Sequence, residues 1–223
     1  MKIKKFFNSI ANLLYPPVCP FCGKNADFGK PTCDDCTNLL QNRFYVTSAA
    51  KNVCVYAFPY EDEYRKAVLN MKFYKQPAIA ENLGVLAANA VLLYDGELAK
   101  NTQMCVTAVP LHKSSEAERG YNQSRLLAKS AARFLNFPYK DLLVKHTQNR
   151  CQHSLKRHER VINVQNVYSA AKNADVAGKT ILLIDDIVTT GSTLGECAKV
   201  LLAAGAKRVV CAAVCGVEEL SEI

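Results

Sequence analysis

Tryptophan is absent from the chain, and no apolar run is both long and uninterrupted enough to cross a bilayer. The first absence removes the largest aromatic surface on which an unpaired base could stack, leaving ten tyrosines and nine phenylalanines for any such role. The second excludes a membrane-spanning helix: the uncharged stretch from Phe6 to Gly23 is broken by Pro16, Pro17 and Pro20. An export signal is missing too. Lys2, Lys4 and Lys5 precede Phe6 and Phe7, but Asn8, Ser9 and Asn12 interrupt the apolar run and no small-residue cleavage site follows. There is no intact P-loop, because Gly178-Lys179-Thr180 has Asn173 where the first glycine belongs and precedes a strand instead of following one. Internal repeats and low-complexity segments are likewise absent.

What remains is an ordinary globular composition. With 223 residues, 49% of them hydrophobic and 22% charged, the chain can bury a sizeable core, and its length suits one α/β domain with a small appendage. A formal charge of +8 implies attraction to polyanions and leaves phosphorylated ligands, nucleic acid and acidic partners all open. Ten cysteines would suggest a disulfide scaffold in a short secreted chain, but four of them form Cys-x-x-Cys pairs and no export signal accompanies them. The expectation is a reducing cytoplasm and a bound metal.

Those pairs are Cys19-Pro-Phe-Cys22 and Cys33-Asp-Asp-Cys36, separated by a ten-residue loop that lets two knuckles close one tetrahedral site. Thiolates select zinc or an iron–sulfur cluster, and four protein ligands leave no position for a substrate water, so a structural Zn2+ is expected. Cys54, Cys105, Cys151, Cys197, Cys211 and Cys215 lie scattered in apolar segments and read as small core residues.

The remaining pattern divides the chain. Phe6, Phe7, Ile10, Leu13 and Leu14 repeat at helical spacing ahead of Pro16, which describes a short amphipathic helix packed on its own protein. Residues 1–50 would hold that helix and the cysteines. The polar stretch Thr47–Asn52 would serve as a linker, and a second domain would run from 53 to 223. Within it, Val53–Phe58, Met104–Val109, Thr180–Ile184 and Arg208–Val214 read as strands; Glu63–Phe73, Ile79–Leu93, Tyr121–Leu135 and Ser192–Ala204 read as helices. This alternation predicts an α/β fold, a mostly parallel sheet with helices on both faces.

The most informative stretch is Ile181–Thr193, in which an apolar strand ends in Asp185 and Asp186 and is followed by Thr189, Thr190, Gly191, Ser192 and Thr193 at a helix start. Backbone N–H groups at a helix N-terminus, joined by hydroxyls, make an anion site, and Gly191 would let the backbone approach a phosphate closely. Carboxylates beside such a cradle call for a ligand with hydroxyls next to its phosphate. A Walker B acid pair would need the missing P-loop. A receiver-domain acid pocket would need its acids early, whereas only 37 residues follow Asp186.

Those thirteen residues resemble the phosphoribosyl pyrophosphate signature of type I phosphoribosyltransferases. Further segments resemble the ComF family, which joins an N-terminal zinc finger to a phosphoribosyltransferase domain and is associated with DNA uptake in bacterial transformation. They are Leu13-Leu-Tyr-Pro-Pro17, the paired cysteines, Tyr60 through Lys72-Phe73, Val109-Pro110-Leu111, Arg119-Gly-Tyr-Asn-Gln123, Gln152-x-x-Leu155 and Arg160-x-x-Asn163. The resemblance implies that Asp185 and Asp186 hold the ribose, and that Thr189, Thr190, Gly191, Ser192 and Thr193 hold the 5-phosphate. It further implies that Val109, Pro110 and Leu111 form the pyrophosphate loop and that Arg119 assists departure of pyrophosphate with Mg2+. Partners implied are phosphoribosyl pyrophosphate, single-stranded DNA and a competence helicase, without stable membrane insertion. One departure counts against turnover: family members commonly carry further basic residues just before the Arg-Gly-Tyr-Asn-Gln segment, where this chain has Ser115 and Ala117. Two functions from different classes stay open, a phosphoribosyltransferase acting on a nucleobase or related acceptor, and a nucleic-acid-handling component whose phosphate loop takes a regulatory ligand.

Overall fold

The computed structural model describes residues 18–26, 30–39, 44–49, 51–73, 79–100, 103–146 and 167–217. The amphipathic segment 6–14, Cys151, Gln152, Leu155, Arg160 and Asn163 lie outside the described residues. The elements, in chain order, are α1 (Asp34–Leu39), β1 (Tyr45–Ala49), β2 (Asn52–Pro59), α2 (Asp62–Phe73), α3 (Ile79–Tyr94), a 3-10 turn (Gly96–Lys100), β3 (Met104–Ala108), α4 (Lys113–Arg119), α5 (Gln123–Leu135), β4 (Leu143–Lys145), β5 (Tyr168–Ala170), β6 (Thr180–Val188), α6 (Ser192–Ala203) and β7 (Arg208–Gly216).

Five strands form the main sheet in the order β1-β2-β7-β6-β3; β2, β7, β6 and β3 are mutually parallel and β1 pairs antiparallel with β2. The expectation of a mostly parallel sheet covered on both faces holds. Period-two alternation sorts each central strand between two cores. Leu182 and Ile184 of β6, with Val210, Ala212 and Val214 of β7, face one cluster completed by Met71, Leu83, Val91, Leu127 and Ala131 of α2, α3 and α5. Ile181 and Leu183, with Cys211 and Ala213, face a second cluster completed by Leu194, Cys197, Ala198 and Leu201 of α6. Both sides of β6 and β7 are therefore dry, which is why these strands read as unbroken apolar runs. Cys54, Cys105, Cys197, Cys211 and Cys215 are buried, as their settings suggested.

Two readings change. Thr47–Asn52 is no linker: Thr47, Ser48 and Ala49 pair with Cys54, Val53 and Asn52 across a tight hairpin, with Lys51 in the left-handed region at φ 72°. The stretch looked polar because β1 is an edge strand, whose alternate side chains face solvent. The region before Tyr121 is also ordered differently, since Lys113–Arg119 forms its own helix, stopped by Gly120 at φ 86°. Asn122 then caps α5, its side chain accepting from the Arg125 N–H at 3.2 Å, so α5 starts at Gln123 and not at Tyr121.

The cysteine module docks through an aromatic cluster. Phe21, inside the first Cys-x-x-Cys, meets Phe58 of β2 and Tyr64 of α2 edge-on at centroid distances of 5.2 and 5.3 Å, while those two rings stack at 4.7 Å. No helix among the described residues is long and apolar enough to cross a membrane.

Helices α3 and α5 cross with close backbone contact at Gly84. A Cβ on Gly84 would sit 2.5 Å from the Leu127 carbonyl oxygen and 2.6 Å from Ser130 Cβ, and Ser130 Oγ donates to the Glu81 carbonyl at 2.6 Å beside it. Gly84→Ala is expected to destabilise the fold by about 1–3 kcal/mol in chemical denaturation, because backbone must move to admit one methyl group. An unchanged midpoint would show that the crossing is looser than this.

Candidate functional site

At the carboxyl ends of β3 and β6 a cavity of about 560 Å³ opens, the position where parallel α/β sheets present ligand contacts. Its lining brings together every residue singled out for the phosphoribosyl ligand: Val109, Pro110 and Leu111 after β3, Arg119 at the end of α4, Asp185 and Asp186 in β6, and Thr189 to Thr193. Strand β6 runs four residues further than the apolar pattern indicated, to Val188, because its pairing with β7 continues at Asp185, Ile187 and Val188. The two acids are therefore held on rigid strand.

Each acid has a distinct setting. Asp185 Oδ1 accepts from Ser124 Oγ at 2.7 Å and from the Asp186 N–H at 2.9 Å. Burial, and the neighbouring Asp186 carboxylate after it, push its carboxyl up to about 7, against the opposing pull of Ser124 and Lys72. Asp186 is 4% exposed; its Oδ1 faces Lys72 Nζ at 2.9 Å, while its buried Oδ2 has no hydrogen-bond partner. An orphaned buried carboxylate oxygen is costly, and here it sits in a residue lining the cavity.

The loop after β6 has the polarity of an anion cradle. Thr190 Oγ1 and Ser192 Oγ are 2.7 Å apart, and α6 begins at Ser192 with the N-terminal N–H groups that attract anions. Gly191 also serves the fold itself. It adopts φ 68°, and a Cβ there would lie 2.7 Å from the Ser48 carbonyl oxygen and 2.8 Å from Ala49 Cα. The end of β1 closes against the loop from behind, so a side chain at 191 would strain the backbone and push the hairpin away whatever the ligand. On the opposite wall, Asn122 Nδ2 donates to the Val109 carbonyl at 3.1 Å and ties the loop after β3 to the start of α5.

Arg119 is ordered rather than loose in solvent: it donates to Gln123 Oε1 at 2.5 Å and its guanidinium lies 5.6 Å from the centre of the Phe73 ring. Ser115 lines the cavity on the same helix. Lys72, Ser124, Lys145 and Tyr168 also line the cavity, in places the sequence did not assign to them. Lys145 of β4 lies 5.5 Å from the Tyr168 ring of β5, and burial lowers its ammonium while Asp185 opposes that shift. Tyr168 is pushed up by burial. Lys72 and Asn122 fell inside segments already conspicuous in the sequence; Ser124, Lys145 and Tyr168 carry no local signal, because only the fold brings them to β6.

The second site is the cysteine cluster. Cys19, Cys22, Cys33 and Cys36 place their sulfurs within 4.8 Å of one another, Cys22 and Cys33 at 3.5 Å. Burial works against ionising Cys19, but backbone N–H groups of Cys22, Cys33 and Phe21 outweigh it and lower the thiol to about 7. Burial and the adjoining sulfurs raise Cys36. Four soft donors converging in this way suit a tetrahedral metal ion.

Comparison with known proteins agrees with this geometry. Residues 122–221 match the phosphoribosyl transferase domain. The chain is 27% identical to competence protein F of Haemophilus influenzae over 86% of its own length and 82% of that protein. It is 29% identical to the DNA utilization protein YhgH of Escherichia coli K12, covering 86% of this chain and 81% of that one. With competence protein ComFC of Bacillus subtilis it shares 28% identity, over 84% of this chain and 72% of that protein.

The raised carboxyl carries a stability consequence with a definite sign. A carboxyl that is near 3.8 in the unfolded chain and about 7 in the fold retains its proton on folding, so native stability is lost as pH rises between those values. Asp185→Asn removes the loss. The variant should melt several degrees above the parent at pH 8, with the gap closing towards pH 4, as read by calorimetric or fluorescence melts. A gap that is constant with pH would contradict the assignment.

Proposed function

From a chain homologous to competence protein F and its relatives over most of its length, and carrying a phosphoribosyl transferase domain, we propose a protein that binds phosphoribosyl pyrophosphate and serves DNA utilisation. The observation that carries this reading is the unpartnered, buried Oδ2 of Asp186 beside the hydroxyl-rich loop at the strand ends. A sugar hydroxyl is the donor such an oxygen needs, and a 5-phosphate is the group that a helix N-terminus with Thr190 and Ser192 at its mouth receives.

In the bound state Asp186 accepts from a ribose hydroxyl, and Thr189 to Thr193 surround the 5-phosphate. The diphosphate lies towards Val109, Pro110 and Leu111, with Arg119 over it. Mg2+ is the expected companion of the diphosphate, whose charge it would neutralise; Asp185 would be the carboxylate to hold it, since Asp186 already faces Lys72. Turnover would break the bond between the anomeric carbon and the diphosphate oxygen as an acceptor nitrogen, of a nucleobase or related compound, bonds to that carbon. Arg119, braced by Gln123 and Phe73, then stabilises the charge gathering on the leaving group. Ser115 in place of a basic residue leaves fewer cations for that task.

The cysteine cluster is read as a structural zinc site, and the cytoplasm as the compartment. Single-stranded DNA is the expected polyanionic partner, drawn by the +8 charge and consistent with the names of the relatives; a competence helicase would act beside it.

Thr190→Val keeps the shape of the loop and removes one hydroxyl. Calorimetric titration with phosphoribosyl pyrophosphate and Mg2+ should show binding by the parent and roughly tenfold or weaker binding by the variant, since a hydrogen bond to a charged group is worth about 1.5–3 kcal/mol. Equal affinities would place the ligand elsewhere. For the metal site, elemental analysis should return about one zinc per chain, and Cys33→Ser should lose it along with protease resistance of the N-terminal module. A metal-free parent with a protected module would reject the zinc assignment.

A further inference from the structure

The last turn of α2 makes contacts at three consecutive residues in and beside the site. The Met71 carbonyl accepts from Tyr121 Oη, Lys72 meets Asp186, and Phe73 lies under Arg119. Of these, the Lys72 contact has a consequence for how the site handles charge. Lys72 is 13% exposed and Asp186 5% at their side chains, so the pair lies in low dielectric, where removing one partner leaves an uncompensated charge. A pair built only to hold the fold would have both carboxylate oxygens bonded; Asp186 keeps its buried Oδ2 without a partner, in a residue that lines the cavity. The ammonium has three N–H groups and, among the described residues, one close acidic partner, so it neutralises the acid pair while leaving an oxygen for a hydroxyl.

We propose that Lys72 is the resident counter-cation of the Asp185–Asp186 pair, a ligand-positioning residue that lets the site take the ribose 5-phosphate half of its ligand without a divalent metal at Asp186. The idea rests on the phosphoribosyl reading of the cavity and adds to it a division of labour: a fixed lysine serves the sugar, and Mg2+ serves the diphosphate. Helix geometry favours this arrangement, because Lys72 sits in the last turn of α2, where the carbonyl ends of the helix attract positive charge. The cation is thus held in place before any ligand arrives.

Ribose 5-phosphate separates the two roles, since it has the sugar and the phosphate but no diphosphate to carry Mg2+. Calorimetric titration of the full-length parent in EDTA and in Mg2+ should give affinities within about threefold of each other. Lys72→Met should weaken binding in EDTA by about tenfold or more, and Mg2+ should recover part of the loss by entering beside the uncovered carboxylate. Lys72→Arg, which keeps the charge, should behave as the parent. The proposal is overturned if the parent needs Mg2+ for ribose 5-phosphate, or if Lys72→Met binds in EDTA as tightly as the parent. Because the parent alone supplies the first comparison, the test survives a Lys72→Met protein that does not fold. A parent that binds ribose 5-phosphate in neither buffer refutes the phosphoribosyl reading itself, a different failure from Mg2+-dependent binding.

Discussion

Two carboxylates on adjacent residues at the end of a buried strand repel each other and resist leaving water, and the surrounding structure is organised around that cost. The two side chains leave the strand in different directions, and Asp185 and Asp186 meet different partners. Asp185 is met by Ser124 from α5, and Asp186 by Lys72 from α2. Asp185 remains close to protonation near neutral pH even so. The fold retains a pair that destabilises it, a pattern expected where binding and not stability sets the residue.

Three of the cations lining the cavity come from separate elements: Lys72 from α2, Arg119 from α4 and Lys145 from β4. None is a bare surface charge. Lys72 is paired with an acid, Arg119 is braced by Gln123 and Phe73, and Lys145 lies against Tyr168. Preorganised positive groups in a half-dry cavity interact with a polyphosphate more strongly than mobile ones would, because little reorganisation remains when the ligand enters. Helix α2 has a second attachment as well. Tyr64 near its start packs on Phe21 of the cysteine module, and Lys72 near its end reaches Asp186, so one helix borders both candidate sites.

Much of this was legible without coordinates. The apolar runs Thr180–Ile184 and Arg208–Val214 read as central strands, since a segment buried on both faces needs no alternation. The acids, the hydroxyls and the paired cysteines stood out because each is a local pattern carried by neighbouring residues. Where local pattern misled, geometry explains the miss. Thr47–Asn52 looked like a linker because an edge strand with a tight hairpin shares the polar composition of a loop. Gly191 also lies against the backbone of Ser48 and Ala49, in a strand more than a hundred residues earlier, a contact that local spacing does not show.

By itself the sequence determined the α/β class, the parallel sheet, the position of the acid pair and its loop, and the four-cysteine cluster, because these depend on short-range periodicity and on residue types at fixed spacing. Tertiary structure alone decided that Lys72 neutralises Asp186, that the Ser124 hydroxyl reaches Asp185, that Lys145 and Tyr168 wall the cavity, and that Phe21 anchors the cysteine module. Those contacts join residues up to 114 positions apart in sequence, as with Lys72 and Asp186. Such a pairing is selected by which helices the sheet brings to its carboxyl edge, and nothing in the residues flanking either partner encodes it.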